Sequence, residues 1–148
     1  MLEIYVKTFE ALTKQELYDI LQLRSEVFVV EQDCVYQDID GKDQKALHVI
    51  GRKNNKIIAY TRTFKPGDYF ELSSIGRVVV AKNERHFKYG NQIMESSIQA
   101  IKKHYNETSI KISAQAYLKS FYNRLGFNEV GEEYLEDDIP HIAMIKTK

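Results

Sequence analysis

The chain has 148 residues, with 21 Lys plus Arg against 21 Asp plus Glu, so its formal charge is zero. Hydrophobic residues make up 43% and charged residues 28%, which excludes a disordered chain and argues against a general nucleic-acid binder, since that class carries a basic surplus. A single cysteine, Cys34, excludes an internal disulfide, and no apolar run approaches the length that crosses a bilayer.

Leu2, Ile4 and Val6 alternate with polar residues or Tyr5 and predict a short first strand. Thr13 and Glu16 stand at capping-box spacing, so a helix should begin there. Leu17, Ile20, Leu21, Val27 and Phe28 mark its apolar face. Arg24 falls inside that stripe and is expected at its edge, with the charged head snorkelling to water rather than contacting a ligand. Residues 31–45 are a polar, Asp-rich connection, read residue by residue as a solvated loop. Residues 47–52 and 57–64 predict two strands joined at Asn54-Asn55, a hairpin turn. Residues 72–80 are the next strand, and Val78, Val79 and Val80 suggest burial on both faces.

A short polar turn and a basic loop then end in Gly90. Met94, Ile98, Ile101 and Tyr105 follow at helical spacing over residues 89–105. Residues 109–114 predict a strand. Leu118, Phe121, Tyr122 and Leu125 predict a helix that stops at Gly126. Residues 127–134 and 139–145 close the chain as strands around the acidic turn Glu136-Asp137-Asp138. This order implies a single domain, 1–148, of the α/β type: a mixed, twisted sheet with helices on both faces.

The segment from Arg77 to Gly90 carries the chemistry. A β-branched strand feeds a basic turn that opens a helix. The start of a helix offers unpaired N–H groups and a partial positive charge, which suits phosphate. A ligand with phosphates and an extended tail along the strand is expected.

Arg85-His86-Phe87-Lys88-Tyr89-Gly90 resembles the R-x-x-G-x-G/A loop of GNAT-type N-acyltransferases. The segment from Ala116 to Phe127 is similar to that superfamily's A-x-x-F-Y-x-x-x-G-F motif. Leu23-Arg24, Val27 to Gln32, Tyr36 to Gly41, Ile75 to Val78, Ala114 to Ala116 and Ile139 to Met144 resemble its ElaA-like branch, and the likeness covers nearly the whole chain. The sequence departs from the superfamily at Lys88, which stands where the first Gly is usual. Gly would permit positive φ there, whereas Lys adds charge beside the phosphates.

The resemblance implies a sheet of six to seven strands, acetyl-CoA as co-substrate, and direct transfer of the acetyl group to an amine; no metal is expected. It implies that Arg85, His86, Phe87, Lys88, Tyr89, Gly90 and Asn91 form the pyrophosphate loop and that Val78, Val79 and Val80 pair with the pantetheine arm; Asn123 either points at the cofactor or is exposed at the surface. It implies Tyr122 as the acid that protonates the departing thiolate. On spacing alone Tyr122 reads as a core tyrosine beside Phe121. His141 is the first choice for the base, with a structural histidine bonded to backbone as the alternative reading; Glu31 and His48 are weaker choices. Glu31, Gln32, Tyr36 and Asp38 are expected on the acceptor side, where carboxylates would attract a cationic amine.

The resemblance implies a small-molecule or protein amine as acceptor, with no nucleic acid or membrane partner expected; a homodimer is compatible with the superfamily. Residues 1–9 show no signal-peptide pattern, and the expected location is the cytoplasm. The rival readings are a non-catalytic acyl-CoA-binding sensor or interaction module, and a structural protein that keeps the fold alone. The calcium-loop pattern around Asp38 to Gly41 fails at its first and last ligand positions, Tyr36 and Leu47. Cys34 and the scattered histidines have no zinc spacing.

Overall fold

Thr13 opens the first helix through the reciprocal pair that its spacing predicts. Its hydroxyl accepts from the Glu16 amide at 3.0 Å, and the Glu16 carboxylate accepts from the Thr13 amide at 2.8 Å. The computed structural model describes residues 2–147. In it, α1 spans Lys14–Arg24 and continues as a wider π-helical stretch, Ser25–Glu31. Such widening re-aims the side chains that follow and concentrates at functional sites.

Seven strands form one sheet: β1 (Glu3–Thr8), β2 (Leu47–Lys53), β3 (Lys56–Phe64), β4 (Ser73–Val80), β5 (Ile110–Gln115), β6 (Asn128–Glu136) and β7 (Ile139–Lys146). Their order is β1-β2-β3-β4-β5-β7-β6, and only the β4–β5 pair is parallel. Asn54 and Asn55 take φ of +50° and +63°, the pair of left-handed residues that suits a tight hairpin. Helices α2 (Tyr89–Tyr105) and α3 (Lys119–Arg124) complete the chain.

The helices cover both faces. Ile20, Leu23, Val27 and Phe28 pack on Ile50, Tyr60 and Val79 on one side. On the other, Met94, Ile101 and Tyr122 join Ile75, Ile110 and Met144, while Ile93 and Ala100 meet Val49 and Ile58. Val79 thus faces α1, and Val78 and Val80 pack with the clusters on the α2 side. Burying each large aliphatic side chain contributes about 1.5–3 kcal/mol. Among the described residues, no helix is long and apolar enough to cross a membrane.

Strand β4 carries a bulge. Tyr60 pairs with Val79 and Arg62 with Gly76, so Arg77 and Val78 together oppose Thr61. Arg77 takes φ of +50°, an uncommon state for a residue with a Cβ. Bulges bend the strand that holds them. Beside this one, β4 and β5 pair only at Ser73–Ile110 and Ser74–Lys111.

The expectation for Arg24 is corrected by the structure. Its side chain is fully buried, and its guanidinium meets Asp38 at 2.9 Å and Asp43 at 2.8 Å. Arg62, also buried, bridges Asp40 at 2.6 Å and Asp43 at 2.9 Å. Arg77 holds Asp38 at 2.7 Å. Much of the Asp-rich connection is therefore not a solvated loop: Asp38 and Asp43 are interior anions that neutralise interior cations, as buried charge requires. Burial alone would raise the pKa of Asp43, but the charges and hydrogen bonds of Arg24 and Arg62 hold it below its ordinary value.

His48, a weaker choice for the base, belongs to the same interior. Its Nε2 bonds the Asp43 carbonyl at 3.0 Å, so that nitrogen carries the proton, and Nδ1 accepts from the Tyr60 hydroxyl. Burial lowers its pKa and keeps it neutral.

Candidate active site

A cavity of about 870 Å³ fills the gap where β4 and β5 stop pairing. Val78, Val79 and Val80 line it from β4, Ile112, Ser113 and Gln115 from β5, Val27 and Phe28 from the α1 side, and Phe121 and Tyr122 from α3. Its two ends differ in charge.

One end is basic. After β4 the chain makes a 3₁₀ turn, Lys82–Phe87, and Lys88 follows at φ +62°, ψ +26°. Lys88 thus adopts the left-handed conformation that Gly would occupy more readily. No side chain caps the start of α2, and its first turn holds no acidic residue. The leading amides of the helix therefore carry no carboxylate of their own. His86, Lys88, Gly90 and Asn91 line this end. A Cβ on Gly90 would stand 3.4 Å from the Phe121 ring, an ordinary packing contact, so α2 lies against α3 at this point.

The side chains of Phe87 and Tyr89 do not line the cavity. Phe87 lies under the Lys53 ammonium at 4.2 Å, and Tyr89 is buried among Ile93 and Ala100. Asn123 is engaged locally, donating to the Phe127 carbonyl at 2.8 Å and to Glu129 at 2.9 Å. Its neighbour Arg124, not singled out by the motif, lines the cavity instead.

Arg85 and Glu31 meet across the mouth. The Arg85 Nε donates to the Val80 carbonyl at 3.0 Å, while both terminal nitrogens donate to the Glu31 carboxylate at 2.5 and 2.8 Å. The hydrogen bonds and charge of Arg85 hold the Glu31 pKa below its ordinary value.

Tyr122 lines the cavity, buried and edge-on to Phe121 and Phe127 at centroid distances of 5.0 and 6.2 Å. Burial pushes its pKa up, so the phenol keeps its proton.

The other end lies between the loop after the π-helical stretch and the β6–β7 hairpin. Gln32 and Tyr36 line it, and the Gln115 amide reaches Gln32 at 3.4 Å. Cys34 Sγ donates to the Asp137 carbonyl at 3.4 Å, joining loop and hairpin. Asp38 stands behind Tyr36, whose hydroxyl it accepts at 2.9 Å, and is not itself in the cavity wall. His141 is buried, and its Nδ1 bonds the Ile139 carbonyl at 2.7 Å. A carbonyl only accepts, so Nδ1 carries the proton and neutral His141 has its lone pair on Nε2. That nitrogen stands 3.7 Å from Glu136, whose carboxylate also accepts from Ser113 at 3.1 Å. The Ser113 hydroxyl further bonds Tyr134. Glu136 and Ser113 were not legible as site residues, because one reads as a turn and the other as the polar side of a strand. Among the described residues no group of three or more His, Cys, Asp or Glu could hold a metal ion.

A mixed sheet parted at its parallel pair, with a basic turn leading into an uncapped helix beside the gap, is the fold of the acyl-CoA N-acyltransferases. Residues 9–148 match the acetyltransferase (GNAT) domain, and the chain belongs to that family. It is 44% identical to protein ElaA of Escherichia coli strain K12 over 137 residues, 91% of this chain and 90% of that protein. The crystal structure of an acyl-CoA N-acyltransferase from Pseudomonas aeruginosa is similar with a TM-score of 0.94 and 42% identity, covering 99% of this chain and 100% of that one. The crystal structure of Escherichia coli ElaA gives a TM-score of 0.92 and 41% identity, with 99% of each chain covered.

Proposed function

We propose that this GNAT protein is an N-acetyltransferase that moves the acetyl group of acetyl-CoA directly to a primary amine. The observation that carries the reading is the pairing of two features in one cavity: unpaired strand edges of β4 and β5, and the uncapped start of α2. The first suits an extended, amide-bearing arm; the second suits a diphosphate.

Acetyl-CoA supplies the activated thioester. Amides at the start of α2, with Lys88 and Arg85, hold the diphosphate, and β4 at Val78–Val80 holds the arm. A backbone N–H at the bulge near Val78 supports the thioester oxygen as negative charge develops on it. His141 Nε2 takes a proton from the acceptor ammonium. The freed lone pair attacks the carbonyl carbon, the C–N bond forms and the C–S bond breaks. Tyr122 gives its proton to the leaving sulfur, and the surplus proton on the acylated nitrogen restores the phenol. The lone Cys34 thiol fits a reducing, cytoplasmic setting.

Calorimetry with acetyl-CoA and thiol release in a mixed amine panel test this reading. Binding with amine-dependent thiol release is expected. Binding without release would instead favour an acyl-CoA sensor, and no binding would favour a structural protein.

A further inference from the structure

Resting on the acetyltransferase reading, we propose that Glu136 seats the acceptor's ammonium, and that the acceptor is an alkylamine, mono- or dicationic, with no carboxylate beside the reacting nitrogen.

Most carboxylates in and behind the cavity wall are already neutralised. Asp38, Asp40 and Asp43 are held by Arg24, Arg62 and Arg77, and Glu31 by Arg85. The other carboxylates on the cavity wall, Glu136 and Asp137, come from the β6–β7 hairpin. Glu136 is fixed in place by the Ser113 hydroxyl on Oε1, which leaves Oε2 for a ligand. Its side chain is 48% exposed, so an incoming group can reach it.

His141 adjoins this carboxylate. It is more than nine-tenths buried and lines the cavity, yet its Nε2 makes no hydrogen bond, since Glu136 Oε2 is 3.7 Å away. A lone pair and a carboxylate oxygen thus lie side by side, both within reach of one ammonium. Glu136 would bind the charged amine, and His141 beside it would remove the proton that blocks attack. The stacked Tyr134 ring, 6.2 Å from His141 and bonded through its hydroxyl to Ser113, fixes both partners. An acceptor with a carboxylate next to its amine would bring that charge against Glu136 and Asp137. Of the cations that line the cavity, Arg77 is already held by Asp38 and Asp40 and Arg85 by Glu31.

Thiol release from acetyl-CoA is measured with 1,4-diaminobutane, propylamine, glycine and β-alanine, together with calorimetry of acetyl-CoA alone. The expected result is a kcat/KM at least about tenfold higher for the two alkylamines than for the two amino acids. Glu136→Gln should raise the KM for 1,4-diaminobutane about tenfold, as for loss of a charge-assisted hydrogen bond. It should leave kcat within about threefold and acetyl-CoA affinity unchanged, and Glu136→Asp should recover part of the loss. Ser113→Ala, which frees the carboxylate to move, should raise the same KM by a smaller factor. Equal use of the amino acids, or an unmoved KM in Glu136→Gln, would overturn the assignment while leaving the acetyltransferase reading intact. Acetyl-CoA binding with no thiol release for any amine would overturn both.

Discussion

Arg85 and Glu31 are locked in a two-pronged ion pair that ties the loop before α2 to the end of the π-helical stretch. Arg85 is further fixed by the Val80 carbonyl, so it has little freedom to turn elsewhere. A diphosphate that recruits this guanidinium must displace a carboxylate from it. Glu31→Gln should therefore bind acetyl-CoA more tightly, by about 2–5-fold, the scale of a partly exposed charge contact. Calorimetry at low ionic strength reads this directly. Equal affinities would show that Arg85 does not receive the phosphates.

Tyr122→Phe should keep the packing against Phe121 and Phe127 and remove the proton donor. Turnover should fall about 10²-fold, within the usual range for general acid catalysis. The dissociation constant of acetyl-CoA should stay within about twofold. An unchanged kcat would return Tyr122 to a purely structural role.

Arg24→Met should destabilise the fold severely. The change leaves Asp38 and Asp43 buried with one cation fewer, and breaking a buried pair from one side costs about 3–5 kcal/mol. Urea unfolding of the variant should show that loss in the midpoint, with an unchanged slope. A loss below about 1 kcal/mol would mean that Arg62 and Arg77 alone suffice.

Glu16 should set part of the acid limit of stability. Burial alone would raise its pKa, but hydrogen bonds from Lys7, the Thr13 amide and Tyr5 outweigh it and hold the group at about 2. Because the folded value lies below the unfolded one, the contribution is complete above about pH 4.5 and is lost as pH falls toward 2. Glu16→Gln should therefore lower the melting temperature at pH 6 and flatten its decline across that window. Parallel curves for the two proteins would contradict the assignment.

Local rules were readable along the chain wherever neighbours in sequence decide the structure. Thr13 and Glu16 announce the capping box, Asn54-Asn55 the hairpin, and Gly126, at φ +98°, the end of α3. The loop at Lys88 was legible through resemblance, and the positive φ there shows why glycine is usual in that place. Arg24 was misread because its partners, Asp38 and Asp43, lie 14 and 19 residues away and arrive only when the connection folds back. The bulge at Arg77 depends on how β3 and β4 register, which no local pattern encodes. Glu136 reaches the cavity only because β7 pairs with β5, a long-range choice that places hairpin beside strand.

The two-residue join between β4 and β5 divides the sheet into a four-strand half and a three-strand half that share one short seam. Past it, each half presents a raw strand edge to the other, which is normally a weakness in a β protein. A cofactor arm laid into the opening would act as a stitch, adding main-chain bonds that the polypeptide itself does not make. The ligand would thereby complete the sheet as well as react, and its arrival should slow amide exchange in the strands on both sides of the seam.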